Sequence, residues 1–108
     1  MLIEIVTFDL PADMDRDAVM AAYRAVAPKW RQVPELVRKS FILDEAGRVG
    51  GAVYCWSDDG TAAARWHGPD WKASVRATYG SDPTIRRFEM PLVADNAAGE
   101  TVEYPPLT

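Results

Sequence analysis

The strand-like segments of this 108-residue chain carry apolar side chains on both faces. In the first segment, Leu2, Val6 and Phe8 point to one side. Ile3 and Ile5 point to the other. A sheet with one face in water alternates apolar and polar residues instead. Two helices cover only one face of a small sheet, so the second face needs a cover that the chain does not supply. The pattern predicts a homodimer in which two sheets pack face to face.

The predicted elements follow the order β-α-β-β-α-β, which is typical of a ferredoxin-like α+β fold with a four-stranded antiparallel sheet and two helices on one face. Strands are expected over residues 2–8, 36–44, 50–56 and 84–93. The first helix is expected after residue 15 and ends at Pro34, and the second runs to residue 80 with a break at Gly68-Pro69. The domain is expected over 1–96, and 97–108 is an irregular tail placed to contact the dimer partner.

Several residues mark the ends of these elements. Asp15 is expected to cap the first helix, and Pro28 to kink or restart it. Gly47 supplies a left-handed turn position between the second and third strands, and Gly80 caps the last helix. The run Ser57-Asp58-Asp59 offers caps for the second helix.

Charge and cysteine content exclude several classes of protein. Sixteen acidic residues against twelve basic ones give a formal net charge of -4, which argues against nucleic-acid or anionic-membrane partners. The single cysteine, Cys55, permits no intrachain disulfide and is interpreted as a small buried hydrophobe. Glu4 and Asp9 interrupt the first apolar run, so we expect no signal peptide and a cytoplasmic location.

The candidate site centres on the run Trp66-His67-Gly68-Pro69-Asp70-Trp71, which holds the chain's single histidine between two of its four tryptophans. A titratable ring among large aromatic surfaces is what a pocket for a flat organic ligand needs. The run therefore predicts a binding site for a small hydrophobic or aromatic molecule.

Four segments together resemble the YdhR-type monooxygenases of the dimeric α+β barrel group, over residues 3–96. They are 23–30 (YRAVAPKW), 50–54 (GGAVY), 66–69 (WHGP) and 79–86 (YGSDPTIR). The resemblance implies a ferredoxin-like protomer, a homodimer with facing sheets, and a pocket in each protomer between sheet and helices. Related barrel enzymes include cofactor-independent oxygenases that act on aromatic compounds, and others that degrade haem.

A phenol or hydroquinone can lose its proton and pass an electron to oxygen itself, so this chemistry requires no cofactor. His67 is the candidate acid/base group, and Arg38 or Arg86 is the candidate holder of an anionic substrate oxygen. The candidate wall residues are aromatic: Trp66, Trp71, Tyr54, Trp56, Tyr23 and Phe41.

The same residues also have possible roles that are structural rather than functional. His67 equally fits a space-filling or capping role, and Tyr23, Trp30 and Trp66 at helical spacing fit a core. Tyr54 and Trp56 share one strand face, which lines either the helix-side core or the interface between two sheets. The basic pairs at 38–39 and 86–87 are typical of solvated strand positions.

Buried carboxylates are a further structural question. Glu4 and Glu89 lie on neighbouring strands, and a carboxylate in a covered sheet needs a partner, which Arg86 or Arg87 can provide.

Other functions fit the sequence less well. One histidine and one cysteine without paired spacing argue against a metal site. Haem degradation is disfavoured because the first strand has Thr7 where such enzymes carry an asparagine. Two alternatives remain: a non-catalytic ligand-binding barrel, and an RNA-recognition domain with Tyr54 and Trp56 as base-stacking residues. The acidic charge speaks against the second.

Overall fold

The first and third predicted strands pair at the centre of a four-stranded sheet in the computed structural model, which describes residues 1–57 and 60–107. The strands are β1 (Leu2–Asp9), β2 (Leu36–Leu43), β3 (Val49–Trp56) and β4 (Thr84–Glu89), in the order β2-β3-β1-β4 and all antiparallel. The helices are α1 (Arg16–Trp30), α2 (Thr61–Trp66) and α3 (Pro69–Tyr79). The predicted ferredoxin-like α+β fold is confirmed.

The predicted turn and cap residues largely hold these elements in place. The carboxylate of Asp15 accepts the backbone N–H of Ala18 at 2.9 Å, as an N-cap does. Gly47 and Gly80 have φ of 70° and 80°, the left-handed conformation that favours glycine. The restart expected at Pro28 is wrong, because α1 continues to Trp30. Pro28 lies in the last turn and costs α1 one bond, that from its missing N–H to the carbonyl of Arg24. The helix ends at Trp30, short of the predicted end at Pro34.

The entry to the second helix differs from the prediction. The N-cap position of α2 is Gly60, and the hydroxyl of Ser57 instead donates to the backbone carbonyl of Glu35 at 3.1 Å. The capping roles predicted for Asp58 and Asp59 lie outside the described residues. The break predicted at residues 68–69 is confirmed, since α2 ends at Trp66 and Pro69 begins α3.

The C-terminal segment is more regular than predicted. The fourth strand ends at Glu89 rather than at residue 93, because Pro91 has no N–H to continue the ladder. Leu92–Asp95 and Glu100–Glu103 then form an antiparallel hairpin of their own, β5–β6. Strand β6 lies in the segment 97–108, where an irregular tail was expected. No helix among the described residues is long and apolar enough to span a bilayer.

The sheet has two different faces, as the doubly apolar strands predict. Leu2, Val6 and Phe8 are buried against the helices, which makes this the helix side of the sheet. Ile3 and Ile5 lie on the other side, the open face, and are only partly buried. Phe88 pairs with Ile3 on the open face and is 41% exposed. The described chain leaves this face without a complete cover.

Candidate functional site

A cavity of about 210 Å³ lies between the helix side of the sheet and helices α1 and α3. We call it the central cavity. An apolar cavity of about 150 Å³ is enough to bind benzene, so the central cavity has room for a small aromatic molecule. Its lining residues include Phe8, Tyr23, Val26, Phe41, Tyr54 and Trp71.

Seven aromatic residues contribute to the wall of the cavity. Phe8 stacks on Tyr79 with ring centroids 4.1 Å apart, and Tyr23 lies 4.9 Å from Phe41. The hydroxyl of Tyr23 donates to the carbonyl of Ile42 at 2.8 Å and accepts from the N–H of Gly51 at 3.0 Å. These bonds tie α1 to β2 and β3. The wall is therefore held in place before any ligand arrives.

Lys39 is the charged side chain that the sheet places in this wall. It pairs with Tyr54 in the β2–β3 ladder and so points to the helix side. Its Nζ lies 4.3 Å from the ring centroids of Trp30 and Phe41 and 4.8 Å from that of Tyr54. Burial, and then the positive charge of Lys29, lower the pKa of Lys39 to about 7.

A second polar group, centred on Glu4, is buried beside the cavity. Glu4 is 0% exposed. Its Oε1 accepts the indole N–H of Trp56 at 2.8 Å, and its Oε2 accepts from Nε of Arg87 at 2.7 Å. Nδ1 of His67 lies 2.8 Å from Oε1. The predicted pairing of Glu4 is confirmed for Arg87, whereas Glu89 is exposed.

The charge state of Glu4 follows from these neighbours. Burial alone raises the pKa of a carboxyl group, but the contacts with His67, Arg87 and Trp56 outweigh it and hold the pKa of Glu4 below its ordinary value. Glu4 is therefore a buried carboxylate anion with its partners around it.

The break between α2 and α3 positions His67 against this carboxylate. The ring lies 4.1 Å from Trp71 and 4.4 Å from Tyr54, centroid to centroid, and His67 is 3% exposed. Its Nε2 has no hydrogen-bond partner among residues 1–57 and 60–107. Trp71 and Tyr54 line the cavity and His67 does not, so its ring lies directly behind the wall.

The predicted site residues fall into three groups. Tyr23, Phe41, Tyr54 and Trp71 line the central cavity. His67, Trp56 and Trp66 lie outside its lining: His67 and Trp56 in the Glu4 cluster, and Trp66 packed on Trp30 at 6.0 Å. Arg38 and Arg86 lie on the open face, since Arg38 pairs with Cys55 and Arg86 with Ile5.

The structure also shows whether the predicted aromatic residues lie in the helix-side core, in the cavity wall or on the open face. Tyr54 and Trp56 face the helices and are 2% and 0% exposed, so they belong to the helix-side core. A base-stacking role needs them on the open face of the sheet, which disfavours the RNA-recognition alternative. Tyr23 and Trp30 are both core residues and cavity wall.

Sequence reasoning missed Lys39, because the pair at 38–39 was interpreted as two solvated positions. That interpretation fits Arg38, which is exposed, and is wrong for Lys39. The signal was the alternation along β2. Phe41 was a predicted wall residue, and a strand position two residues away shares its face.

Metal ligands are not grouped in the described part of the chain: within residues 1–57 and 60–107 there is no cluster of three His, Cys, Asp or Glu side chains that could hold a metal ion. Besides aromatic rings and aliphatic side chains, a ligand would meet the hydroxyls of Ser74 and Thr78 and the amines of Lys29 and Lys39.

Comparison with known proteins identifies the fold class. No family model and no curated protein matches this sequence. Among solved structures, a proposed antibiotic biosynthesis monooxygenase from Deinococcus radiodurans is similar, with a TM-score of 0.68 at 14% identity over 88% of this chain and 97% of that one.

Two further solved structures share the fold. The ActVA-Orf6 monooxygenase of Streptomyces coelicolor, in complex with nanaomycin D, has a TM-score of 0.60 at 14% identity, over 81% of this chain and 84% of that one. Another antibiotic biosynthesis monooxygenase has a TM-score of 0.61 at 20% identity, over 83% and 98%. The chain thus has the ferredoxin-like α+β fold that these monooxygenase structures have.

Proposed function

We propose that this protein is a monooxygenase that oxidises a small aromatic substrate of the phenol or hydroquinone kind. The observation that carries the proposal is the central cavity, which is walled by aromatic rings and large enough for such a molecule. The similar folds of several monooxygenases, one of them in complex with nanaomycin D, support the assignment.

The reaction balances with oxygen as the oxidant. A phenol and O₂ give a quinone and water: one oxygen atom enters the ring as a carbonyl and the other leaves in water. The substrate supplies all the electrons, beginning with the transfer of one electron from the phenolate to O₂. The protein's part is to bind the ring, exclude water and accept the hydroxyl proton.

His67 takes a positioning role in this proposal. It contacts Tyr54 and Trp71, which line the cavity, and an acid/base role would require one of these rings to move aside. A residue that only positions the cavity wall affects substrate binding, and therefore KM, more than it affects the pH profile of kcat. We therefore expect His67→Ala to raise KM, and oxygen uptake that is unchanged in this variant would remove His67 from the mechanism.

The oligomer and the family belong to the same proposal. We propose that two protomers pack through their open faces as a homodimer, because Ile3, Ile5 and Phe88 leave that face apolar and incompletely covered. The resemblance of residues 66–69 and 79–86 to YdhR-type monooxygenases supports membership of that family. A cytoplasmic location also stays a prediction.

The test is oxygen uptake with a panel of phenols and hydroquinones, comparing two tryptophan insertions on α1. Val26 lines the cavity and is 38% exposed, so Val26→Trp fills the cavity mouth. Ala21 is exposed on the same helix and lines no part of the cavity. We expect Val26→Trp to lose at least tenfold in kcat/KM and Ala21→Trp to keep its activity.

The alternative is a binding protein without catalysis. It is favoured by the position of His67 behind the wall rather than in it. Ligand binding that Val26→Trp abolishes, together with no oxygen uptake across the panel, would establish the alternative and reject the oxygenase.

A further inference from the structure

Lys39 is a basic side chain placed in the cavity wall without an acidic partner. Its Nζ faces three aromatic rings, and none of the ion pairs formed within residues 1–57 and 60–107 includes it. Buried charges in proteins are normally paired. By contrast, Arg87 on the opposite edge strand, β4, is paired with Glu4. Of these two basic side chains on the helix side of the sheet, Arg87 has a carboxylate partner and Lys39 has none within the described residues.

The groups around Lys39 supply no negative charge. From α1 it faces Lys29 and Tyr23, from β3 Tyr54 and from α3 Tyr79, while Arg31 and Arg38 flank the sheet edge beside it. Burial raises the pKa of all three tyrosines, that of Tyr79 to about 12, so their hydroxyls stay protonated at neutral pH. An anion at this position must come from a ligand.

We propose that the Nζ of Lys39 accepts the hydroxyl proton of a phenol bound in the central cavity and then, as an ammonium, holds the phenolate. In this step the O–H bond breaks, an N–H bond forms, and the electron pair stays on the phenolate oxygen. The inference rests on the proposed function for its substrate class and adds a base. The substrate is thereby narrowed to small aromatic molecules with an acidic hydroxyl.

Two features of the site suit this step. A general base works best when its pKa lies near the working pH, and that of Lys39 is lowered to about 7. The ammonium formed lies against the faces of Trp30, Phe41 and Tyr54, where cation–π attraction stabilises it. Before the ligand binds, the uncharged amine costs little in the apolar wall. After binding, the ammonium is paired with the phenolate.

The experiment is a visible-absorbance titration of 4-nitrophenol, whose phenolate absorbs and whose neutral form does not at the same wavelength. With the wild-type protein, we expect bound 4-nitrophenol to be ionised at a pH where the free compound is still largely neutral. Lys39→Met should weaken its binding about 10- to 100-fold and abolish that shift. The matched control is Lys72→Met, an exposed lysine of α3 away from the cavity lining, which should bind like the wild type.

Two further measurements separate the roles. The methyl ether 4-nitroanisole has no proton to lose, so its affinity should agree within about threefold between the wild type and Lys39→Met. Lys39→Arg keeps the charge but cannot act as a base. It should still bind the phenolate, and its binding should release to the buffer the proton that Lys39 retains in the wild type. Agreement of the two 4-nitroanisole affinities also shows that Lys39→Met retains an intact cavity.

The outcomes distinguish this inference from the proposed function. Ionised 4-nitrophenol in the wild type, without oxygen uptake on any phenol, supports the role of Lys39 and rejects the oxygenase. Oxygen uptake that persists unchanged in Lys39→Met supports the oxygenase and overturns the role of Lys39. Neutral bound 4-nitrophenol, equal affinity in Lys39→Met, or no binding at millimolar concentration likewise overturns it.

Discussion

Glu4 is the residue on which the buried polar cluster depends. Glu4→Gln keeps the shape of the side chain but removes the charge that faces His67 and Arg87. The side chain of Arg87 is 45% exposed and stays hydrated when its partner loses the charge, so the expected cost is that of a hydrogen bond to a charged group, about 1.5–3 kcal/mol. We expect a loss of that order in the free energy of unfolding, measured by urea denaturation at neutral pH.

The pH dependence of the same variant is a sharper check. The pKa of Glu4 is lower in the folded chain than its ordinary value of 4.5. Its contribution to stability is therefore fully present above that value and is lost as the pH falls through the folded pKa. Glu4→Gln should lose less stability than the wild type on acidification below pH 4.5. Parallel acid profiles for the two proteins would contradict the assignment.

The position of a single residue was predictable where the alternation of a strand, a helix cap or a left-handed backbone angle determines it. The faces of Leu2 to Phe8, the cap at Asp15 and the left-handed Gly47 and Gly80 followed from the sequence. The partner of Glu4 was narrowed to two adjacent arginines, and register selected Arg87. The amine of Lys39 was missed because a pair of basic residues on an edge strand normally points to water on both sides.

Strand β3 carries the glycine pair Gly50-Gly51 near its start, where β3 contacts Tyr23 of α1. Gly51 has φ of 153°, its N–H donates to the hydroxyl of Tyr23, and a Cβ added there would overlap the backbone carbonyl of Val6. The clash is with backbone, which cannot move aside without breaking the β1–β3 ladder. A Cβ at the preceding Gly50 would come within 2.5 Å of the hydroxyl of Tyr23.

Gly51→Ala should therefore be far more destabilising than a matched alanine at the β2–β3 turn. Gly47 also has a positive φ, but a Cβ there meets nothing within 4 Å, so Gly47→Ala pays only the left-handed backbone cost of about 1–2 kcal/mol. We expect at least twice that loss for Gly51→Ala in thermal and urea unfolding. Similar losses in the two variants would show that the close approach at Gly51 is unimportant.

Elements were predictable where periodicity and breakers agreed. The two helices on either side of the break at Gly68-Pro69 and the β2–β3 hairpin followed from the sequence. The β5–β6 hairpin did not, since it is only four residues on each side and lacks a clear alternation. The cavity itself was predicted as lying between sheet and helices, but its lining depends on tertiary packing that no local pattern encodes.

At the scale of the whole molecule, the open face predicts association. Phe88 is 41% exposed on this face, beside Ile3 in the ladder. Phe88→Glu would place a charge in the proposed interface without touching the helix-side core. We expect light scattering to give a dimer for the wild type at micromolar concentration, and a dissociation constant at least about tenfold higher for Phe88→Glu.

Lys72→Glu changes charge on the helix layer instead and should leave the dimer intact. A wild-type monomer at micromolar concentration would refute the sheet-to-sheet dimer. Equal weakening by both variants would mean that net charge, rather than the open face, controls association.

The four tryptophans of the chain are gathered around the cavity and the Glu4 cluster. Trp30, Trp56 and Trp71 each have ring contacts with His67, and Trp66 contacts Trp30. Indole emission responds to the polarity and the quenching groups of its surroundings, and here all the emitting rings share one neighbourhood. The intrinsic ultraviolet fluorescence of the protein is therefore expected to change when a molecule enters the cavity, so that binding can be followed without an added label.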